Sequence, residues 1–248
     1  MNISEVEEIT KWIKEFVENA HADGVVVGMS GGKDSLTVAG LCAKALGKEN
    51  VLGVIMPNGE MSDYSDAVHA CEHIGIKYVV NPITDSYNTL LKGVKENLKI
   101  VGKDLSDVTT INTAPRLRTT TLYAIAGSLN YLVANTSNLS EGMVGYTTKW
   151  GDNIGDFSAI ANYTKSEVCE IGMLLGLPEK LVHKTPSDGL SGKSDEDKLG
   201  VTYESIDNLI RNNTKDESYE RIMHLNKVSE HKRKGVICYK NNRKNFLA

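Results

Sequence analysis

The chain has 248 residues, a formal net charge of −4, and 40% apolar and 24% charged residues; at roughly 100–200 residues per domain this allows one large domain or two small ones with a real core. A mildly acidic chain lacks the basic footprint of a nucleic-acid binder, no run approaches the ~18 apolar residues of a membrane-spanning helix, and Met1 to Ala20 lacks the uninterrupted apolar stretch of a signal peptide. Cys42, Cys71, Cys169 and Cys238 form no C-x-x-C pair, which argues against a thiolate metal site and fits a reducing cytoplasm.

Ile3, Val6, Ile9, Ile13, Val17 and Ala20 recur at helical spacing with Glu and Lys between them, an amphipathic helix. Val25-Val26-Val27 reads as a buried strand, Ser35 to Leu46 as an apolar helix closed by Gly47, and Val51 to Met56 as a second strand stopped by Pro57-Asn58-Gly59. Ser62 to Ile74 reads as a helix, Tyr78-Val79-Val80 as a third strand, Pro115 to Leu129 as a helix and Tyr131 to Ala134 as a fourth strand. Beyond about residue 140 helices and polar loops take over. Thr164 to Leu175 carries a Thr cap with Glu167 in the capping-box position, Lys193 to Lys198 is a charged loop, and Thr202 to Ile210 and Ser218 to Lys234 are helical.

Continuous apolar strands alternating with helices imply an α/β fold: a doubly wound parallel sheet of about five strands, with helices on both faces and a helical C-terminal extension. A single domain over 1–248 is expected, its α/β core at about 20–190 and its extension at about 195–240. Ligands of such sheets sit beyond the carboxyl ends of the strands.

Directly after the first strand comes Gly28-Met29-Ser30-Gly31-Gly32-Lys33-Asp34-Ser35, then a helix. Three glycines let the backbone turn tightly and present N–H groups to anionic oxygens, and the helix N-terminus adds partial positive charge. The segment is no Walker A loop: counted from Gly28, the second Gly position holds Lys33 and the Lys position holds Asp34. An acid beside a phosphate nest makes chemical sense if Mg²⁺ joins them. The segment resembles the PP-loop of the ATP pyrophosphatase families, which cleave ATP between the α and β phosphates.

Further segments narrow the resemblance: Asn112 to Arg118, Asn135 to Glu141, Gly145 to Asp152 with Asp156 behind it, Leu175 to Glu179, Pro186-Ser187, and Asp195 to Gly200 ahead of Tyr203 and Ile206-Asp207. In this order they resemble the ammonia-dependent NAD synthetases, from about Val25 to His231-Lys232. The resemblance implies a ligase that adenylates the nicotinate carboxylate of deamido-NAD with ATP, releases pyrophosphate, and amidates it with ammonia to give NAD and AMP. It gives ATP to Gly28 through Ser35, Thr136, Lys165 and Ser187, and Mg²⁺ to Asp34 and Glu141. It gives deamido-NAD to Arg116, Lys149, Asp156, His231 and Lys232, and to Asp152 a catalytic role in deprotonating ammonium or the attacking amine. It also implies a homodimer; the acidic balance and the lack of a long apolar run lead to the expectation of no nucleic-acid and no membrane partner. The chain departs from the commonest family pattern at Asn153-Ile154-Gly155 and at Ser187-Asp188-Gly189-Leu190, where Ser187 keeps a hydroxyl.

Two other readings compete. A tRNA-modifying PP-loop enzyme is disfavoured by the acidic balance and the lack of paired cysteines. A non-catalytic nucleotide-binding module would need neither Asp34 nor Glu141. With only Met1 to Gly24 ahead of the loop and no cysteine there, the nitrogen donor is expected to be free ammonia or ammonia released by a separate protein.

Overall fold

Successive side chains of a strand face opposite sides of its sheet. In Gly24–Gly28 (β1) both sides are apolar: Val25 and Val27 enter one core cluster and Val26 another, all three fully buried. The same holds for Val51–Ile55 (β2) and Tyr131–Asn135 (β4), where Ile55 and Ala134 face the first cluster and Val54 and Val133 the second. A sheet apolar on both faces must be covered on both, so these strands are interior ones. Lys77–Val80 (β3) and Phe157–Ser158 (β5) form the edges. All five strands are parallel, in the order β3-β2-β1-β4-β5. This computed structural model describes residues 1–184 and 194–236.

On one face lie Ile3–Asn19 (α1), Lys33–Leu46 (α2), Tyr64–Ile74 (α3), and later in the chain a helix at Lys165–Leu174. The other face is covered by Asp107–Leu129, which packs on β1 and β4, with Thr84–Leu98 (α4) leaning against it; we label the 107–129 helix α5. The short helix Leu139–Val144 (α6) follows β4, and Lys165–Leu174 is α7, followed by Glu179–Val182 (α8). Asp195–Leu199 (α9), Tyr203–Asn212 (α10), Tyr219–Val228 (α11) and Glu230–Arg233 (α12) make the C-terminal helices. A third apolar cluster of Val144, Leu199, Val201, Tyr203, Ile206, Leu209 and Ile222 fixes α9, α10 and α11 against α6.

The chain winds outward from β1 through β2 to β3, then returns to place β4 on the other side of β1. The strand order reverses between β1 and β4, which opens a crevice at their carboxyl ends. The segments after β1 and after β4 line it.

Four elements differ from the sequence reading. The α5 helix begins at Asp107 rather than Pro115, because Ser106 caps it by accepting the Thr109 N–H. Pro115 inside it forfeits one N–H bond, to the carbonyl of Ile111 on an exposed turn. The α4 helix buries only Leu91, so its apolar period is too weak to read, and β5 is two residues long. Within the charged stretch 193–198, Asp195–Leu199 is a helix, started by a capping box in which Ser194 and Asp197 exchange hydrogen bonds.

Candidate functional site

The loop after β1 is built to leave N–H groups facing the crevice. Met29 turns back into the core at 2% exposed, and its N–H donates to the Val54 carbonyl at 2.9 Å. It therefore extends the sheet, and its side chain faces away from any ligand. Ser30 and Ser35 brace the loop: their hydroxyl oxygens lie 3.1 Å apart, Ser30 Oγ accepts from Gly32 N at 3.2 Å, and Ser35 Oγ donates to the Gly32 carbonyl at 3.0 Å. Gly32 is the N-cap of α2 and supplies no capping side chain. The first-turn N–H groups over Lys33, Asp34 and Ser35 thus have no partner within the helix, and anions favour such an end.

Gly31 is the position that cannot carry a side chain. Its φ is +80°, and a Cβ there would stand 2.4 Å from the Asp63 carbonyl oxygen. Asp63 is itself held, since Lys184 Nζ reaches Asp63 Oδ1 at 2.7 Å and Asp66 Oδ2 at 2.5 Å. Gly31→Ala is expected to cost about 2 kcal/mol or more, from left-handed strain plus a backbone clash. A denaturant titration with a shift of less than about 0.5 kcal/mol would contradict this packing.

Across the crevice the α6 helix begins at its cap Asn138. Asn138 Oδ1 accepts the Glu141 N–H at 2.9 Å, and its Nδ2 donates to Asp34 Oδ1 at 3.0 Å. One buried amide thereby ties the first turns of α2 and α6, and with them two carboxylates. Lys165, the first residue of α7, completes the group: its Nζ donates to Glu141 Oε1 at 2.7 Å and lies 3.4 Å from Asp34 Oδ2. All three side chains are mostly buried. The Tyr203 ring stands 4.4 Å from the ammonium, a cation–π contact. The Thr164–Glu167 capping box fixes the start of α7, and Arg211 grips Glu167 through both its Nε and Nη2 at 2.7 Å.

The electrostatics follow from burial and like charge. Burial first, and then the Asp34 charge, push the Glu141 carboxyl up to about 7, against the pull of Lys165. For Lys165, burial favours the neutral amine, but Glu141 and Asp34 outweigh it and hold the ammonium above its ordinary value. Among the described residues no group of three or more His, Cys, Asp or Glu side chains stands together to hold a metal ion. Asp34 and Glu141 form a pair. Such a pair suits Mg²⁺, which is typically bound by one or two carboxylates together with substrate phosphates and water. The ammonium of Lys165 beside both acids shows that this spot already attracts positive charge.

A second group surrounds the 145–153 loop. Arg116, exposed on α5, donates from Nε to the Lys149 carbonyl at 3.2 Å, and the Lys149 ammonium lies 5.1 Å from the Trp150 ring. Asp152 Oδ1 accepts from Thr148 N at 2.5 Å. Crowding by the surrounding protein raises the Asp152 pKa, with the Thr148 N–H and the charges of Lys232 and Arg118 opposing it. Lys232 Nζ donates to the carbonyls of Gly145 at 2.7 Å and Thr147 at 2.6 Å, so it clamps this loop from the C-terminal side. Thr136 sits at the crevice just past β4, and His231 is exposed.

Asp156 stands apart from both groups. Its Oδ2 accepts the Val133 N–H at 2.7 Å and its Oδ1 the Tyr123 hydroxyl at 3.3 Å, so its carboxylate is engaged in tying β4 to α5. Ser187 lies outside the described residues. Asn138 was legible as a cap three residues before an acid, but its bond to Asp34 was not. A cavity of about 530 Å³ lined by Pro57, Gly59, Glu60, Met61, Ser62 and Tyr64 opens beyond the carboxyl end of β2, next to the loop.

Known proteins place this arrangement. The family model described as NAD synthase matches residues 5–244. An NH₃-dependent NAD⁺ synthetase of Finegoldia magna is 39% identical, the alignment covering 97% of each chain. Among solved structures, NMN synthetase from Francisella tularensis superposes with a TM-score of 0.87 at 32% identity, covering 97% of this chain and 98% of that one. NH₃-dependent NAD synthetase from Campylobacter jejuni does so with a TM-score of 0.77 at 28% identity, covering 97% and 100%. The phosphate loop, the crevice and these matches over nearly the whole length agree: the chain belongs to the NAD synthase family.

Proposed function

We propose that this chain, acting as one domain over 1–248, amidates the nicotinate carboxylate of deamido-NAD with ammonia at the expense of ATP, yielding NAD, AMP and pyrophosphate. The observation that carries the reading is the Asp34–Glu141–Lys165 cluster, which spans the crevice beside the open N–H groups at the start of α2. Carboxylate and ammonia do not condense unaided, so the carboxylate must first acquire a leaving group. Attack of its oxygen on the α-phosphorus expels pyrophosphate, and within the Gly28–Ser35 loop the open N–H groups of Lys33, Asp34 and Ser35 are donors for the charge that develops there. Asp34 and Glu141 would hold Mg²⁺, which supplies charge neutralisation at the phosphate oxygens. In this reading Lys165 swings from the two acids to the phosphates, Thr136 and Ser187 border the nucleotide, and the cavity beyond β2 takes the adenosine.

Arg116, Lys149 and Lys232 supply cationic groups for the diphosphate and carboxylate of deamido-NAD, with His231 and Asp156 at its margin. Asp152, with its raised pKa, takes the proton from ammonium or from the amine as the carbon–nitrogen bond forms. AMP then leaves. The homodimer in this reading is supported by α5, a 23-residue helix that buries only Thr113 and Ala126. Its Val108 and Ile111, and Leu90, Ile100 and Val101 on the preceding helical segment, are exposed apolar side chains. No helix among the described residues is long and apolar enough to cross a membrane, and the cysteine pattern suits the cytoplasm.

The likeness to an NMN synthetase favours a second reading of the acceptor, in which nicotinate mononucleotide replaces deamido-NAD and the chemistry is unchanged. Supplying both acceptors at equal concentration with ATP, Mg²⁺ and ammonium decides between them. Chromatography should show NAD as the main product. Predominant NMN would replace the acceptor, and the absence of both amides and of pyrophosphate from folded protein would refute the function.

A further inference from the structure

Glu141 and Lys165 come from different helices, whose starts share one main-chain bond, from the Leu139 N–H to the Tyr163 carbonyl at 2.8 Å. A carboxylate from a third helix joins them. Asp207, on α10, is buried at 8% exposed. Its Oδ1 accepts a short hydrogen bond from Ser140 Oγ, and its Oδ2 accepts from Ser166 N at 2.9 Å and Ser166 Oγ at 2.6 Å. Ser140, fully buried, in turn accepts the Lys165 N–H on the same hydroxyl oxygen at 2.9 Å. Ser140 precedes Glu141 in the first turn of α6, and Ser166 follows Lys165 in the first turn of α7.

The relay Lys165 N–H to Ser140 to Asp207 to Ser166 therefore runs through both residues that neighbour the cluster. Each hydrogen bond in it has a single orientation: a hydroxyl that accepts a backbone N–H has its own proton free to give to the carboxylate. An ionised acceptor shared by several donors is stronger and more directional than neutral bonds. One helical turn before Asp207, Tyr203 lies on the same face of α10 and covers the Lys165 ammonium. Helix α10 thus touches the cluster from two sides, at the main chain through Asp207 and at the ammonium through Tyr203.

We infer that Asp207 is a positioning residue of the nucleotide site: through Ser140 and Ser166 it sets where Glu141 and Lys165 stand relative to Asp34. The inference rests on the ATP role proposed above for this cluster. A displacement of about 1 Å in such groups can cost about a hundredfold in rate, whereas a tie that only held α10 in place would lower stability alone.

The test compares Ser140→Ala, Asp207→Asn and the double variant with Leu209→Ala. Leu209 lies on the same helix as Asp207, in the apolar cluster that packs this helix on α6, and makes no bond in the relay. Ser140→Ala and Asp207→Asn are each expected to lower kcat/KM for ATP by about 10- to 100-fold and to weaken ATP binding measured by calorimetry in Mg²⁺, without acceptor, by about tenfold. KM for the acceptor should stay within about twofold. The double variant should fall no more than about threefold below the worse single, since both cut one relay. Leu209→Ala should lower Tm and leave both ATP readouts within about twofold. The inference is overturned if the relay variants lose Tm without moving the ATP readouts, if their effects multiply, or if Leu209→Ala moves the readouts equally. Should the wild type bind ATP but form no amide, the proposed function fails while calorimetry still decides the role of Asp207.

Discussion

Replacing Asp34 by Asn or Glu141 by Gln is expected to lower turnover by about 10³-fold or more, while the protein folds normally and melts no lower than wild type. The activity loss follows if these acids hold the cation on the transferring phosphoryl group, because charge stabilisation there carries a large share of the barrier reduction. The stability result is the more discriminating half. Glu141 is driven up to about 7 by burial and by the Asp34 charge, so the ionised pair is a strain that folding pays for function. Glu141→Gln removes one of the like charges and leaves Lys165 beside Asp34, 3.4 Å away. Steady-state kinetics with thermal melts in chelator would check both halves. Near-normal kcat in either variant removes that residue from the metal role, and a drop of more than a few degrees in Tm contradicts the electrostatic picture.

Lys165→Met should have the opposite effect on stability. The side chain is 7% exposed and its ammonium faces both acids. Removing one member of a buried ion group leaves uncompensated charge, typically costing about 3–5 kcal/mol, or roughly 6–20 °C for a chain of this size. The loss should depend on pH. Without Lys165 the Glu141 pKa rises further above its unfolded value. A raised carboxyl pKa gives stability that is fully present below the unfolded value near 4.5 and is lost as pH rises through the folded one. The variant should therefore be markedly less stable than wild type at pH 8, and the gap should narrow toward pH 6. Adding Glu141→Gln to Lys165→Met should restore most of the melting temperature and none of the activity. Equal stability of Lys165→Met and wild type at pH 8, or a double variant no better than the single, would show that the three charges are not coupled as described.

The fold was legible where burial imposes a pattern. Strands β1, β2 and β4 are apolar on both faces, and nothing but an interior strand of a covered parallel sheet explains Val25-Val26-Val27 beside Val51 to Ile55. Strand β5 was not legible, because two residues carry no period, and α4 buries one leucine. Pro115 misled the reading of α5, because the cap that starts this helix, Ser106, lies well upstream of it. In the site, the phosphate loop was legible from local sequence, since its glycines and the following helix act together over a few residues. The cluster was not. Asp34, Asn138, Glu141 and Lys165 meet through the reversal of strand order at β1 and β4; beforehand the family resemblance paired only Asp34 with Glu141 and gave Lys165 to ATP, and Asn138 had no role. Asp207 was visible as part of a motif, but its bonds to Ser140 and Ser166 exist only once α10 packs on α6, through Ile206 and Leu209, and on α7.

The central claim is that the acceptor carboxylate is activated by adenylation at this crevice. Deamido-NAD labelled with ¹⁸O in the nicotinate carboxylate, turned over with ATP, Mg²⁺ and ammonium, tests it directly. The carboxylate oxygen that attacks the α-phosphorus stays with that phosphorus when ammonia displaces it, so with both carboxylate oxygens labelled mass spectrometry should find one ¹⁸O in each AMP, the other in the amide of an equal amount of NAD, and none in pyrophosphate. Label in inorganic phosphate with ADP as co-product, or amide formed with unlabelled AMP, would contradict it.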